Sequence, residues 1–302
     1  AVRCSSDAGL RSEAENFHFV SRCRLRDSLD LRARSAPPEG PWVWPRTSRV
    51  EDFRCQVTQM VRLAKCLSNA DGHRRVVLLL GQAGAGKTAT CREFTNHFSG
   101  PGRLFGGRVL FLQSQVLRGA ATRAGGSMED FLRQALMQLS TTVGQGLSLL
   151  VIDDLHIFQE VEKDELRLAL EGALRLLESL RVLLTSRCAL GGGWDSLEHS
   201  KIVSEHIATL PREDAAELFQ RRCARQLYKE DFEAPPCNGT PRQPLNVSSA
   251  HELLLQSQLL KILDGVPGRI VSAAALVDGN LSSLLNHPAL QPGNASTGTV
   301  AP

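Results

Sequence analysis

The 302 residues carry a net charge of +3, with 42% hydrophobic and 22% charged side chains, ordinary proportions for a globular chain. A charge so near balance gives no footing for wholesale binding to nucleic acid or an anionic membrane, and no apolar run approaches the roughly 20 residues that cross a bilayer. The length allows a sizeable core and two compact units.

The opening "AVRCSSDAGL" has neither an initiator Met nor a signal-peptide core, which suggests a fragment or a processed chain. Residues 1–45 mix basic and small residues and end in the proline-rich "SAPPEGPWVWP", so they are expected to be a flexible or peripheral segment. "VEDFRCQVTQMVRLAKCL", from Val50 to Leu67, places apolar residues at helical spacing. "RRVVLLL" (Arg74 to Leu80) reads as a buried strand, and Lys87 onward as a helix ending near "NHFSGPG". "RVLFLQS" (Arg108 to Ser114) is a second strand, followed by a loop and the helix "MEDFLRQALMQL". "LSLLVIDD" (Leu147 to Asp154) is a third strand, "EVEKDELRLALEGALRLLESL" a helix, "RVLLTSR" (Arg181 to Arg187) a fourth strand and "KIVSEHIATL" a fifth. Apolar strands alternating with helices indicate a parallel sheet covered on both faces.

From Arg212 the pattern changes to helices alone: "REDAAELFQRRCARQLY", "SAHELLLQSQLLKILDG" and "PGRIVSAAALV", with the breaker-rich "EAPPCNGTPRQPLN" between the first two. Residues 288–302 are poor in large apolar residues and are expected to be disordered. The expected organisation is a flexible or peripheral segment at 1–45, an α/β domain at 46–210, a helical domain at 211–287 and a tail at 288–302. The chain has no internal repeat.

The eight cysteines include no Cys-x-x-Cys pair, which argues against a metal framework. A reducing, cytoplasmic setting is the simplest account, and Cys91 and Cys188 are expected to be small buried residues. Asn246, Asn280 and Asn294 match the short glycosylation pattern, which arises by chance and is not expected to be used.

"GQAGAGKTA", Gly81, Gln82, Ala83, Gly84, Ala85, Gly86, Lys87, Thr88 and Ala89, fits G-x-x-x-x-G-K-[ST] between a strand and a helix. Small residues let backbone N–H groups approach phosphate oxygens, and the helix N-terminus adds partial positive charge. Lys87 is expected to reach the β- and γ-phosphates and the Thr88 hydroxyl to help hold Mg²⁺. Such a loop needs a partner acid. Asp153 and Asp154 supply it at the end of an apolar strand, where chain direction brings strand ends beside the loop. Adjacent strand residues face opposite ways, so one acid is expected on the metal and the other on the attacking water. Arg187, ending "TSR", is expected to pair with the γ-phosphate.

The ordered set "GQAGAGKT", "LLVIDD", "RVLLTSR", "IATLPREDAAELF" and "LDGVPGRIVSAAALV" resembles the NB-ARC branch of the STAND P-loop ATPases, nucleotide switches of signal transduction, over roughly Val50 to Val277. The resemblance implies a P-loop NTPase fold with a helical lid, ATP or ADP with Mg²⁺ as ligands, and slow Mg²⁺-dependent hydrolysis. It implies Thr88 and Asp153 on the metal, Asp154 as the hydrolytic acid with Lys87 and Arg187 on the phosphates, and Pro267 against the adenine. Val50 stands where the family's "VGR" segment touches the base, although "TSRVEDF" lacks its glycine. The family's winged-helix unit, with a histidine that grips the β-phosphate of ADP, has no counterpart before residue 302, so the ADP-locked state is expected to be incomplete. Partners are expected to be the nucleotide, proteins acting through flanking domains, and further copies in a nucleotide-dependent association; neither membrane nor nucleic acid is indicated.

Two other readings stay open. AAA+ ATPases of the replication-initiator type, acting on DNA or a protein complex, share the loop, the acid pair and the lid, and Arg269 would then reach the phosphates. Their sensor strand usually ends in Asn and their acid pair is usually Asp-Glu. The third reading is a module that holds ADP without hydrolysing anything.

Overall fold

The computed structural model describes residues 53, 57–68, 74–100, 102–124, 127–141, 146–191, 193–194, 196–197, 200–232, 243–277, 281–287 and 290. Val50, the segment 1–45 and all of the tail but Leu290 lie outside the described residues. The chain divides into two compact units: Ala1–Gly81 with Lys87–Ile207, and Gln82–Gly86 with Ala208–Pro302.

The first unit is built on β1 (Val76–Leu80), β2 (Val109–Gln113), β3 (Ser148–Asp153), β4 (Leu180–Ser186), β5 (Ser196–Leu197) and β6 (Ser200–His206). They form one sheet in the order β2-β3-β4-β1-β6-β5. All neighbours are parallel except the two-residue β5, which runs antiparallel to β6. Every residue of β1, β3 and β4 is buried, as expected of parallel strands covered on both faces.

The helices of this unit are α1 (Val57–Ser68), α2 (Lys87–Phe98), α3 (Ser114–Ala124), α4 (Met128–Thr141) and α5 (Glu160–Leu176). The stretch after β2, read from sequence as a loop, is α3. Its Leu, Arg and Ala residues favour helix, and Gly119 does not interrupt it. α5 starts with a capping box in which the Gln159 N–H donates to the Glu162 carboxylate at 2.8 Å.

Two buried arginines fix the sheet edge where strands begin. Arg75 donates to the carbonyls of Leu174 and Leu177 at 2.7 and 3.2 Å, and Arg181 donates to Leu67 O at 2.9 Å. These carbonyls close the last turns of α5 and α1, where backbone acceptors have no helical partner and the dipole favours cations.

The second unit contains α6 (Arg212–Arg222), α7 (Val247–Gln256), α8 (Gln258–Leu263) and α9 (Pro267–Ala275). The helix expected from "SAHELLLQSQLLKILDG" is broken at Ser257, whose extended backbone (φ −65, ψ 146) separates α7 from α8. Asn246 caps α7 by accepting from the Ser249 N–H at 2.8 Å. Phe219, Leu254, Leu263, Ile270 and Ala274 make its core. Leu290, which the sequence placed in the tail, is buried there too. The short stretch Gln82–Gly86 belongs to this unit through the Gly268 N–H, which donates to Gly84 O at 2.8 Å. Among the described residues no helix is long and apolar enough to cross a membrane.

Arg225 clamps the turn after α6 by forking onto both oxygens of Asp231, at 2.7 and 2.8 Å. Asp231 is 3% exposed, and its carboxylate also accepts from the Tyr228 N–H at 2.8 Å. Removing Arg225 would leave a buried carboxylate without its cation, at a cost of about 3 kcal/mol. Arg225→Ala should therefore lower hydrogen-exchange protection of α6 and α9 amides by about a hundredfold, read by mass spectrometry; unchanged protection would show the clamp to be dispensable.

Candidate functional site

β4 lies between β1 and β3, so the residues ending all three strands gather on one edge of the first unit. β1 leads to the glycine-rich loop and α2, β3 ends at Asp153, and β4 ends at Thr185 and Ser186. Within the loop Gly84 and Gly86 have φ of 74° and 93°, conformations that residues with a Cβ rarely adopt. Lys87, the first residue of α2, is buried, and its Nζ donates to Gly81 O at 2.7 Å. Burial pulls its pKa down, partly countered by Asp154 and reinforced by Arg187.

Asp153 is 1% exposed and is held by hydroxyls. Thr88 Oγ1 donates to its Oδ2 at 2.7 Å and Thr185 Oγ1 to its Oδ1 at 2.6 Å. Ser114 Oγ, at the start of α3, donates to its backbone carbonyl at 2.7 Å. Burial pushes its pKa up, and the Thr185 and Thr88 bonds pull it partly back.

Asp154 is not the last residue of a strand. Its backbone is left-handed (φ 66°), and it opens a short 3₁₀ turn, Leu155–Ile157. Its N–H donates to Thr185 Oγ1 at 2.8 Å, so one threonine hydroxyl holds the buried acid and the turn that follows it. The two acids do differ in environment, with the Asp154 side chain 47% exposed. The cause is this turn rather than strand alternation. Aspartate tolerates left-handed backbone better than most residues.

Arg187 follows β4 and is exposed. It is an electrostatic neighbour of Lys87, so Lys87, Thr88, Asp153, Asp154 and Arg187 come together in the first unit. Pro267 is the first residue of α9 in the second unit. Cys91 is buried as expected, whereas Cys188 is exposed because the chain leaves the sheet after Ser186.

Three residues of this edge had no role in the sequence reading. Thr185 and Ser114 were hidden as ordinary ends of strands, and their contacts appear only once the strand order is known. His156 sits on the turn after Asp154, its Nδ1 3.6 Å from Asp154 Oδ1.

The donor set suits a hard cation. The Thr88 hydroxyl and the Asp153 carboxylate place oxygens side by side, and Mg²⁺ is commonly held by one or two such protein groups together with substrate phosphates. Among the described residues no cluster of three or more His, Cys, Asp or Glu could hold a metal by itself.

No protein-family model matches the sequence, and no curated protein matches it. Solved structures do match. They include PCH-2 of C. elegans, at 15% identity over 74% of this chain and 63% of that one, with a TM-score of 0.48. The Thermotoga maritima RuvB Holliday junction branch migration motor matches at 14% identity over 72% and 58%, TM-score 0.41. AMPPCP-bound DnaA from Aquifex aeolicus matches at 16% identity over 70% and 60%, TM-score 0.39. The chain thus spans about three fifths of the length of each of these.

The raised pKa of Asp153 carries a sign. Between the ordinary value of 3.8 and the higher folded value the native state holds more protons than the unfolded chain, so stability falls as pH rises through that interval. At neutral pH without metal, the charge on Asp153 opposes folding. Asp153→Asn should therefore melt higher than the wild type in metal-free buffer at pH 7.5, with the difference shrinking toward pH 4. A lower melting temperature for the variant at pH 7.5 would show that the carboxylate charge stabilises the fold.

Proposed function

We propose that this chain binds ATP and ADP with Mg²⁺ and hydrolyses ATP slowly, as a nucleotide-dependent switch of the NB-ARC or STAND kind. The observation that carries the reading is the Thr88–Asp153–Thr185 set beside Lys87, at the end of a parallel sheet and directly after a G-x-x-x-x-G-K-T loop.

In this reading the N–H groups of residues 81–89 and the Lys87 ammonium hold the phosphates. Thr88 and Asp153 hold Mg²⁺, which supplies charge neutralisation at the β- and γ-phosphates when bound. Asp154 accepts a proton from the attacking water, and its partial exposure leaves that carboxylate accessible. Arg187 pairs with the γ-phosphate and loses that contact on hydrolysis, which makes the two nucleotide states energetically different. Pro267 is assigned to the base, and residues 46–210 and 211–287 are taken as the nucleotide-binding domain and its lid.

Lys87→Ala should reduce binding of a fluorescent ATP analogue by at least a hundredfold while leaving far-ultraviolet circular dichroism unchanged; wild-type affinity would remove the site assignment. Asp154→Ala should bind with affinity near that of the wild type but release phosphate more slowly by about a hundredfold or more, a loss on the scale of general-base catalysis. Fast wild-type turnover stimulated by DNA would favour the replication-initiator reading over the switch. Stable ADP binding without any phosphate release would favour the holding module.

A further inference from the structure

His156 is placed where the proposed hydrolysis needs a second group. It lies two residues after Asp154, on the 3₁₀ turn that the left-handed Asp154 backbone creates. Its side chain is 15% exposed, and its Nδ1 faces Asp154 Oδ1 at 3.6 Å. That nitrogen is buried and has no hydrogen-bond partner. A buried ring nitrogen in that condition costs stability, which needs a reason beyond packing.

The surroundings fix what the ring can be. Arg187 and Lys87 are its cationic neighbours, Asp154 and Asp153 its anionic ones, and burial pulls its pKa below the ordinary value. At neutral pH the ring is then an uncharged imidazole with one N–H to give, and the nearest carboxylate is the one that would take a proton from water. A separation of 3.6 Å is longer than a hydrogen bond. Hydrogen bonds within catalytic groups often shorten only when substrate is bound.

We infer that His156 is a positioning residue for ATP hydrolysis: through Nδ1–H it holds the Asp154 carboxylate in the orientation from which that group takes a proton from the attacking water. The inference rests on the hydrolytic reading above. His156 exchanges no proton itself: the water proton goes to Asp154, and the hydroxyl oxygen bonds to the γ-phosphorus as the bond to the ADP oxygen breaks. The same contact gives the strained Asp154 backbone a second support, after its N–H bond to Thr185.

The test is steady-state phosphate release and nucleotide affinity for the wild type, His156→Ala, His156→Asn, Asp154→Ala and the His156→Ala/Asp154→Ala double variant. The expected outcome is a kcat about tenfold lower for His156→Ala, with KM and ADP affinity within twofold of wild type. His156→Asn, whose amide N–H stands near the position of Nδ1–H, should recover most of the rate. The double variant should be no slower than Asp154→Ala alone, because a group acting through Asp154 has nothing left to orient. A structural role would instead lower affinity and melting temperature along with the rate. His156→Ala with wild-type kcat, failure of Asn to recover the rate, or additive losses in the double variant would each overturn the inference while leaving hydrolysis intact. A wild-type chain that binds ATP and releases no phosphate would remove the hydrolytic reading, and the role of His156 with it.

Discussion

The site edge of the first unit is organised around one buried carboxylate. Asp153 sits 1% exposed at the end of β3, where an ionised group without partners would be excluded by its desolvation cost. Two threonine hydroxyls, from α2 and β4, point at its two oxygens. They offset part of that cost, and they fix the carboxylate's orientation. The threonine from β4 also holds the next residue's N–H, so the left-handed turn at Asp154 is tied to the same point. Position, chemistry and backbone shape at this edge all follow from β4 lying between β1 and β3.

The opposite edge carries the complementary constraint. Helices in a parallel α/β layer run against the strands, so their C-terminal carbonyls collect where the strands begin. Arg75 and Arg181 are buried there against such carbonyls. Burial pulls the pKa of both down, but guanidinium starts so high that both stay charged. Cations on carbonyls at one edge tie the strand starts to the ends of α5 and α1, and hydroxyls on a carboxylate at the other tie the end of β3 to α2 and β4.

The fold was largely legible because the buried parallel strands β1, β3 and β4 leave unbroken apolar runs, and with the less buried β2 and β6 five strands could be read between Arg74 and Leu210. Strand order was not legible. It is set by which strands pair in three dimensions, and nothing local to "RVLLTSR" says that it lies between the other two. For the same reason the Thr88, Asp153 and Lys87 cluster could be anticipated from motif spacing, whereas the Thr185 bonds to Asp153 and to the Asp154 N–H could not. Asp154 was read as strand because an acid at the end of "LLVID" continues the run. Left-handed in the structure, it donates its N–H to the Thr185 hydroxyl, a contact between residues 31 positions apart that no local pattern announces. α3 was missed because Gly119 and the polar residues around it look like a connection, while its Leu, Arg and Ala residues favour helix.

The most direct measurement is ATP affinity with and without Mg²⁺, by equilibrium titration of the nucleotide-free wild type and of Asp153→Asn. The account predicts that Mg²⁺ raises wild-type affinity by tenfold or more and leaves the variant's affinity unchanged. Equal wild-type affinity with and without Mg²⁺, or an undiminished Mg²⁺ effect in the variant, would contradict the assignment of Asp153 as the centre of a metal–nucleotide site.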